Sequence, residues 1–571
     1  GADNYTNGQS QEGAAFVFHG SSTGINTAIQ AQLEMNQSLA AMGRSVASAG
    51  DVNGDGYSDI IIGAVGFDNG QSDEGAAFVY HGSAAGIIPA VQTVLESNNA
   101  GDDMGTSVAC AGDVNGDGYS DAIVGVWSYD NGQANEGAAF IFHGSATGIT
   151  TVIQTILESN NVFAHMGQSV ASAGDVNGDG YSDVIAGADY YSNGQSNEGS
   201  VFIFHGSVTG IITTIQTQIE LNQADARLGK SVACAGDVNG DGYSDVIVGA
   251  FQYDNGQSNE GAAFVYFGSA TGITNIIQAQ LESNQIDAQF GNSVASAGDV
   301  NGDGYSDVIV GAPNYDNGNP NEGAAFVYHG NPSGLSITLQ AQLENNQISQ
   351  TGYSVASAGD VNADGYSDVI VGARYFTNGQ TNEGVAFVYH GSATGLNSTI
   401  QSTLEINVAN AFFGSSVASA GDVNGDGYSD VIVSAPQATP GGCAAYVFHG
   451  SAAGVVNAVQ TQLTNVFGSW IINLDVASAG DVNGDGYSDV ILGEFYFTNG
   501  QSQEGGAFVY HGSATGITTT IQTQLEINQA GAHFGLSVAG AGDVNGDGFG
   551  DVIVGANWFD NGQSDEGAAF V

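Results

Sequence analysis

The sequence predicts an all-β fold, a β-propeller-type array of four-stranded antiparallel blades, in about nine repeats of ~62 residues. Three observations predict it. First, the acidic segment DVNGDGYSD or a close variant begins at Asp51, Asp113, Asp175, Asp237, Asp299, Asp360, Asp422, Asp481 and Asp543, in steps of 62, 62, 62, 62, 61, 62, 59 and 62. Second, Gly-rich turn signals divide each period into four short segments, and none sustains a 3.6-residue apolar period. Third, the segments grade from small residues, through apolar on both faces, to alternating apolar and polar. That gradient suits a radial blade whose first strand lines a crowded axis and whose last strand meets solvent.

Residues 290–344 show the elements in order. The small-residue segment SVASA is the innermost strand. The acidic loop follows, then DVIVGA, apolar on both faces as a strand covered on both sides must be. A polar stretch, NYDNGNPNEG, leads to the third strand, AAFVYHG, and NPSGLS leads to the alternating fourth, LQAQLE. The whole chain, 1–571, reads as one continuous array with partial repeats at both ends (1–42 and 535–571). Residues 1–17 match residues 555–571 in phase. The sequence therefore leaves open a closed ring with overlapping ends and an open array cut from something longer.

Composition narrows the function classes. There are 59 Asp plus Glu against four Lys plus Arg, namely Arg44, Arg227, Lys230 and Arg374, for a net charge of −55. No basic surface exists to replace phosphate counterions, so nucleic acid is excluded as a partner and an anionic membrane is repelled. Cations are the natural partners. No apolar run reaches transmembrane length, so no membrane insertion is expected in this segment. Cys110, Cys234 and Cys443 make no disulfide framework, and Cys110 and Cys234 replace the serine of SVASAGD as small buried residues.

The loop itself carries the chemistry. Asp299, Asn301, Asp303 and Asp307 offer oxygen at positions 1, 3, 5 and 9, and Tyr305 at position 7 can give its backbone carbonyl. Hard oxygen donors at alternate positions suit Ca²⁺, and glycine at position 6 permits the sharp wrap of chain. The same sets are Asp51, Asn53, Asp55, Tyr57, Asp59; Asp113, Asn115, Asp117, Tyr119, Asp121; Asp175, Asn177, Asp179, Tyr181, Asp183; and Asp237, Asn239, Asp241, Tyr243, Asp245. Downstream they are Asp360, Asn362, Asp364, Tyr366, Asp368; Asp422, Asn424, Asp426, Tyr428, Asp430; Asp481, Asn483, Asp485, Tyr487, Asp489; and Asp543, Asn545, Asp547, Phe549, Asp551. The spacing follows the first half of an EF-hand, but position 12 is apolar (Val310) and strands flank the loop. A bare polar hairpin would account for Asn-Gly and Asp-Gly turns. It would not account for three uncompensated carboxylates within nine residues in nine copies.

With the loop in its strand context, FGNSVASAGDVNGDGYSDVIVGAP (residues 290–313) closely resembles the FG-GAP repeat of the integrin α-subunit N-terminal β-propeller. The resemblance covers nearly the whole chain. It implies that the loop joins the first two strands of a blade and holds Ca²⁺ at one face. Departures are specific. The Phe-Gly pair of Phe290, Phe413 and Phe534 becomes Met42, Met104, Met166, Leu228 or Thr351 followed by Gly elsewhere, and Ile472-Asn473 in the eighth copy. A shortened segment, SAPQATPGGCAAYVFHG, precedes that copy and marks a boundary or closure. Ala363 replaces a loop glycine. Integrin propellers have seven blades, whereas nine loops stand here, so the blade number is not carried over.

Two other repeated features are read as structural. A histidine ends the third strand in eight copies (His19, His81, His143, His205, His329, His390, His449, His511), and Phe267 takes its place in one, which favours packing over metal ligation. The YDNGQSNEG loops read as polar hairpins, and as the best candidate contact rim. No unique catalytic constellation stands apart from the repeat, so no enzyme is expected. The expected function is an extracellular Ca²⁺-binding structural or adhesive scaffold at the cell surface, contacting a protein or glycan partner or self-associating into a filament. The alternative is a multivalent glycan-binding lectin-like propeller.

Overall fold

A computed structural model describes residues 99–455 almost without a break, most of 42–97 and 475–494, and elsewhere chiefly strands. The described residues form an all-β protein. Eight antiparallel sheets have four strands each, and in every one the strands lie in sequence order. In the repeat of Asp299 they are Ser293–Gly298, Asp307–Ala312, Ala324–Tyr328 and Ala341–Leu343. A ninth sheet draws on both ends of the chain. Ala14–Phe18 and Ala31–Glu34 join Phe534–Gly542 and Asp551–Ala556, with Val17 opposite Ile553 and Phe18 opposite Val552. Ala568–Phe570 pairs with the other half of the same strand, Phe570 opposite Val554.

The second strand explains why its sequence is apolar on both faces. All six residues of Asp307–Ala312 are buried. Val308 and Val310 pack with Ile247, Val265 and Leu281 of the preceding blade. Ile309, between them, points the other way and packs with Val369 and Val371 of the following blade. One six-residue run thus serves two inter-blade cores, each fully buried side chain contributing about 1.5–3 kcal/mol. The fourth strand alternates buried and half-buried positions, as in Ala279–Glu282, because only one of its faces is covered.

Glycine makes the inner packing possible at one repeated contact. A Cβ on Gly249 in the second strand would lie 2.1 Å from the carbonyl oxygen of Gly291, which follows Phe290 in the next blade. Gly291 itself has φ +86°, in the left-handed region. Backbone therefore meets backbone across the blade interface, and Phe290 N donates to Glu260 O (2.9 Å) to fix the register. Phe290 is fully buried beneath this contact.

Candidate metal-binding loops and the opposite rim

Each acidic loop joins the first and second strands of its blade. At its start Asp299 Oδ1 accepts from the amides of Gly302 (2.6 Å) and Asp303 (3.2 Å), and Oδ2 accepts from Gly304 N (2.9 Å). Asn301 Oδ1 accepts from Asp303 N (2.9 Å), and Asp303 Oδ1 from Tyr305 N (3.1 Å). The carboxylates are thus wrapped in their own loop's amides, and the left-handed glycines at positions 4 and 6 (Gly302 φ +67°, Gly304 φ +88°) turn those amides inward. Ala363 takes the position-4 conformation at φ +53°, unusual for a residue with a Cβ.

Position 9 behaves differently from positions 1, 3 and 5. Asp307 is fully buried, its Oδ2 accepting from Val300 N (2.8 Å) and its Oδ1 from Gly330 N (2.7 Å). It therefore ties the loop to the end of the third strand. Burial pushes its pKa up to about 7, against the pull of those two amides, and Asp299 and Asp303 raise it further. Asp121, Asp183, Asp245, Asp368 and Asp430 repeat this state, each raised to about 7 with burial the leading cause.

In the seven fully described copies the predicted residues share one hairpin loop between the first and second strands, without their carboxylates converging on one point. Tyr57 and Asp543, Asn545, Asp547 and Phe549 lie outside the described residues, as does the side chain of Asp551. Among the described residues no group of three or more His, Cys, Asp or Glu side chains is gathered closely enough to hold a metal. The donor set nonetheless fits a hard cation in kind: two exposed or half-exposed carboxylates, an amide oxygen and a buried carboxylate whose ionisation its like-charged neighbours oppose.

Sequence reasoning gave Tyr305 only its carbonyl. Its ring lies over Gly240, position 4 of the preceding loop, where a Cβ would come within 2.2 Å of Tyr305 Cε1. Ser306 N donates to Asp237 O (2.9 Å) of that same loop. Adjacent loops are therefore stacked along one rim, Tyr on Gly, in every fully described pair except where Ala363 stands. The histidines serve the same interface. His205 sits against Gly272 of the next blade, 1.9 Å from a Cβ built there. Burial lowers its pKa while Asp179 and Asp175 raise it. Phe267 fills the equivalent place against Gly334, consistent with a packing role.

The cysteines correct one expectation. Cys110 and Cys234 are free and half-buried rather than buried, and each sulfur accepts a backbone amide (Gly112 N and Gly236 N, both 3.4 Å). The serine they replace does the same, Ser296 Oγ accepting from Gly298 N at 3.2 Å. The side chain of Cys443 lies outside the described residues.

The opposite rim carries the residues that break the repeat. All four Lys and Arg sit at or beside the starts of first strands or the ends of second strands, away from the acidic loops. Arg227 stacks on Tyr190 (3.7 Å to the ring centroid) and lies 3.6 Å from Asp189. His165 makes ring contacts at 5.0 Å with both Trp127 and Tyr190. Arg374 stacks on Tyr353 (3.6 Å) and approaches Tyr375 (4.9 Å).

Four-stranded blades, each with an acidic first hairpin and packed face to face, define a β-propeller of acidic-loop repeats. The FG-GAP repeat profile matches residues 42–80, 166–204, 231–266, 290–328, 351–389 and 413–449, and an FG-GAP-like repeat matches 481–554. The chain belongs to the FG-GAP repeat family and is an integrin α-like propeller. Integrin alpha-4 of Xenopus laevis is 30% identical over 232 residues, 39% of this chain and 21% of that protein. Integrin alpha-V of Gallus gallus is 33% identical over 220 residues, 37% of this chain and 20% of that protein. The matches therefore span about a fifth of these relatives. A solved structure of the Dos1 propeller aligns with a TM-score of 0.38 at 10% identity, over 76% of this chain and 86% of that one. No helix among the described residues is long and apolar enough to cross a membrane.

Proposed function

We propose that this chain is an extracellular Ca²⁺-stabilised adhesive scaffold, a nine-bladed ring whose acidic loops bind Ca²⁺ on one rim and whose opposite rim contacts a partner at the cell surface. The observation that carries it is the division of labour between the rims. Near-identical loops repeat the same oxygen set, whereas the aromatic and cationic residues that differ from blade to blade gather on the other side. A cation in each loop would relieve the repulsion around the buried position-9 carboxylate, through lone pairs its two amide hydrogen bonds leave free. Millimolar calcium outside cells suits such loops. The sharing of one sheet by Ala14–Phe18 and Asp551–Ala556 supports a ring over a thread. Relatives named as integrin α-subunits support adhesion as the role.

Adhesion of cells to surfaces coated with the chain tests this reading. Binding is expected to need Ca²⁺ and to fall in an Arg227→Ala, Arg374→Ala variant. Adhesion that survives both chelation and those substitutions overturns it. Glycan recognition is the second reading, supported by the Asn-, Gln- and Ser-rich loops of the same rim, and saturable sugar-specific binding on a glycan array would select it.

A further inference from the structure

The YDNGQSNEG loop holds a second carboxylate arrangement that the acidic loops do not involve. Glu260 is fully buried; its Oε1 accepts from Asn255 N, and its Oε2 has no partner. The side-chain amide of the same Asn255 donates to Glu282 Oε2 (2.6 Å), at the end of the fourth strand, and Gln280 Nε2 donates to that oxygen as well (3.0 Å). One asparagine thus holds two carboxylates side by side, one buried with an idle oxygen and one half-buried. The charged groups acting on Glu260 are Glu282 and Asp254, both acidic. The arrangement recurs, with Asn131 holding Glu136 and Glu158 (2.7 and 2.8 Å) and Asn378 holding Glu383 and Glu405. In each, one oxygen of the buried glutamate is unpartnered.

The two carboxylates also come and go together along the chain. They stand 22 residues apart in every repeat that has them, and the one repeat without the loop glutamate, with Gly442 in its place, has Thr464 where the strand glutamate belongs. The shared asparagine gives each carboxylate one hydrogen bond but leaves their mutual repulsion and the idle buried oxygen uncompensated, since like charges in a low dielectric repel. Joint retention and joint loss fit two ligands of one ion.

We propose that each such pair is a second divalent-cation site, on the rim opposite the acidic loops, taking Ca²⁺ through the idle oxygen of the buried glutamate and the strand glutamate, with water completing the shell. Two carboxylates make it weaker than a loop site, in the range of about 10⁻⁴–10⁻³ M. This inference is independent of the reading of the acidic loops.

Equilibrium dialysis of the full chain against millimolar Ca²⁺ counts the bound ions. Glutamine at Glu136, Glu198, Glu260, Glu322 and Glu383 keeps an acceptor for the loop amide and removes the charge. That variant is expected to bind five ions fewer with unchanged circular dichroism. Should it misfold, glutamine at the half-buried partners Glu158, Glu220, Glu282, Glu344 and Glu405 gives the same readout with the buried residues intact. An unchanged ion count in a folded variant overturns the proposal. Asp241→Asn in an acidic loop reports separately. Loss of an ion there, with none lost in the glutamine variants, sinks this site alone, and the reverse result sinks the loop reading alone.

Discussion

The two rims of the propeller are built from the same 62-residue unit, yet one is nearly invariant and the other is not. On the acidic-loop rim each residue answers to a fixed partner, in the preceding blade or at the end of its own third strand. Tyr305 covers Gly240, Ser306 N reaches Asp237 O, and Asp307 binds Gly330 N. On the opposite rim, the residue before the Phe-Gly pair is Asp103, His165, Arg227, Gln289, Gln350 or Phe412 in successive blades. The difference separates positions that the fold constrains from positions that it leaves free to vary. Breaking the first rim should therefore cost stability, and breaking the second should cost binding.

The largest effect should come from removing calcium, because every loop is struck at once. An ion bound only by the native state at a hundred times its dissociation constant adds about 2.7 kcal/mol per site. Chelation is expected to lower the melting temperature by ten degrees or more (~10 °C), read by circular dichroism. Unchanged melting with no calcium found by elemental analysis would remove the loops from the account.

Acidification should move the metal-free protein in the opposite sense from the loaded one. The buried position-9 carboxyl of Asp307 titrates near 7 against a usual 3.8, so the folded state holds more protons across that window. Stability from these groups is fully present below about pH 4 and lost as pH rises through about 7. In chelator, melting at pH 5 should exceed melting at pH 8 by several degrees (~5 °C). In Ca²⁺ the order should reverse, since protons compete with the ion. Parallel profiles with and without calcium would dissociate position 9 from the ion.

A single-blade change comes next. Asp307→Ala strands the buried amides of Val300 and Gly330, each costing about 1–3 kcal/mol, whereas Asp307→Asn keeps one acceptor and should lose less. Urea midpoints of the two variants should differ in that order. Equal midpoints would mean that the charge, not the hydrogen bonds, is what the position provides.

Much of this was legible in the sequence because it is local or periodic. The 62-residue step, the alternation of AQLE and the doubly apolar VIV state their strands without help from the rest of the chain. The Tyr305–Gly240 contact was not legible, since it joins residues in different repeats and leaves no alternation behind; only its chemistry, an aromatic one period from a glycine, hinted at it. Position 9 was read as a ligand on spacing alone, and spacing does not reveal that Gly330, in another segment, already binds it. The paired glutamates did leave a signal, a constant 22-residue interval and a shared absence at Gly442 and Thr464, but it emerges only when the repeats are compared with one another.

The smallest effect on stability should be at the varied rim. Arg227 is partly exposed, stacked on Tyr190 and 3.6 Å from Asp189. An exposed cation–π contact is worth about 0.5–1 kcal/mol and a surface ion pair about 0–1, so Arg227→Ala should shift the melting temperature by no more than about 2–3 °C. The buried carboxylate of Asp189 complicates this only mildly, because burial already raises its pKa and, with Arg227 gone, Lys230 still acts on it. Adhesion should respond out of proportion to that shift. A variant that melts with the parent but no longer attaches places recognition on this rim. One that loses stability and attachment in step would show that Arg227 belongs to the fold, and would erase the distinction between the rims.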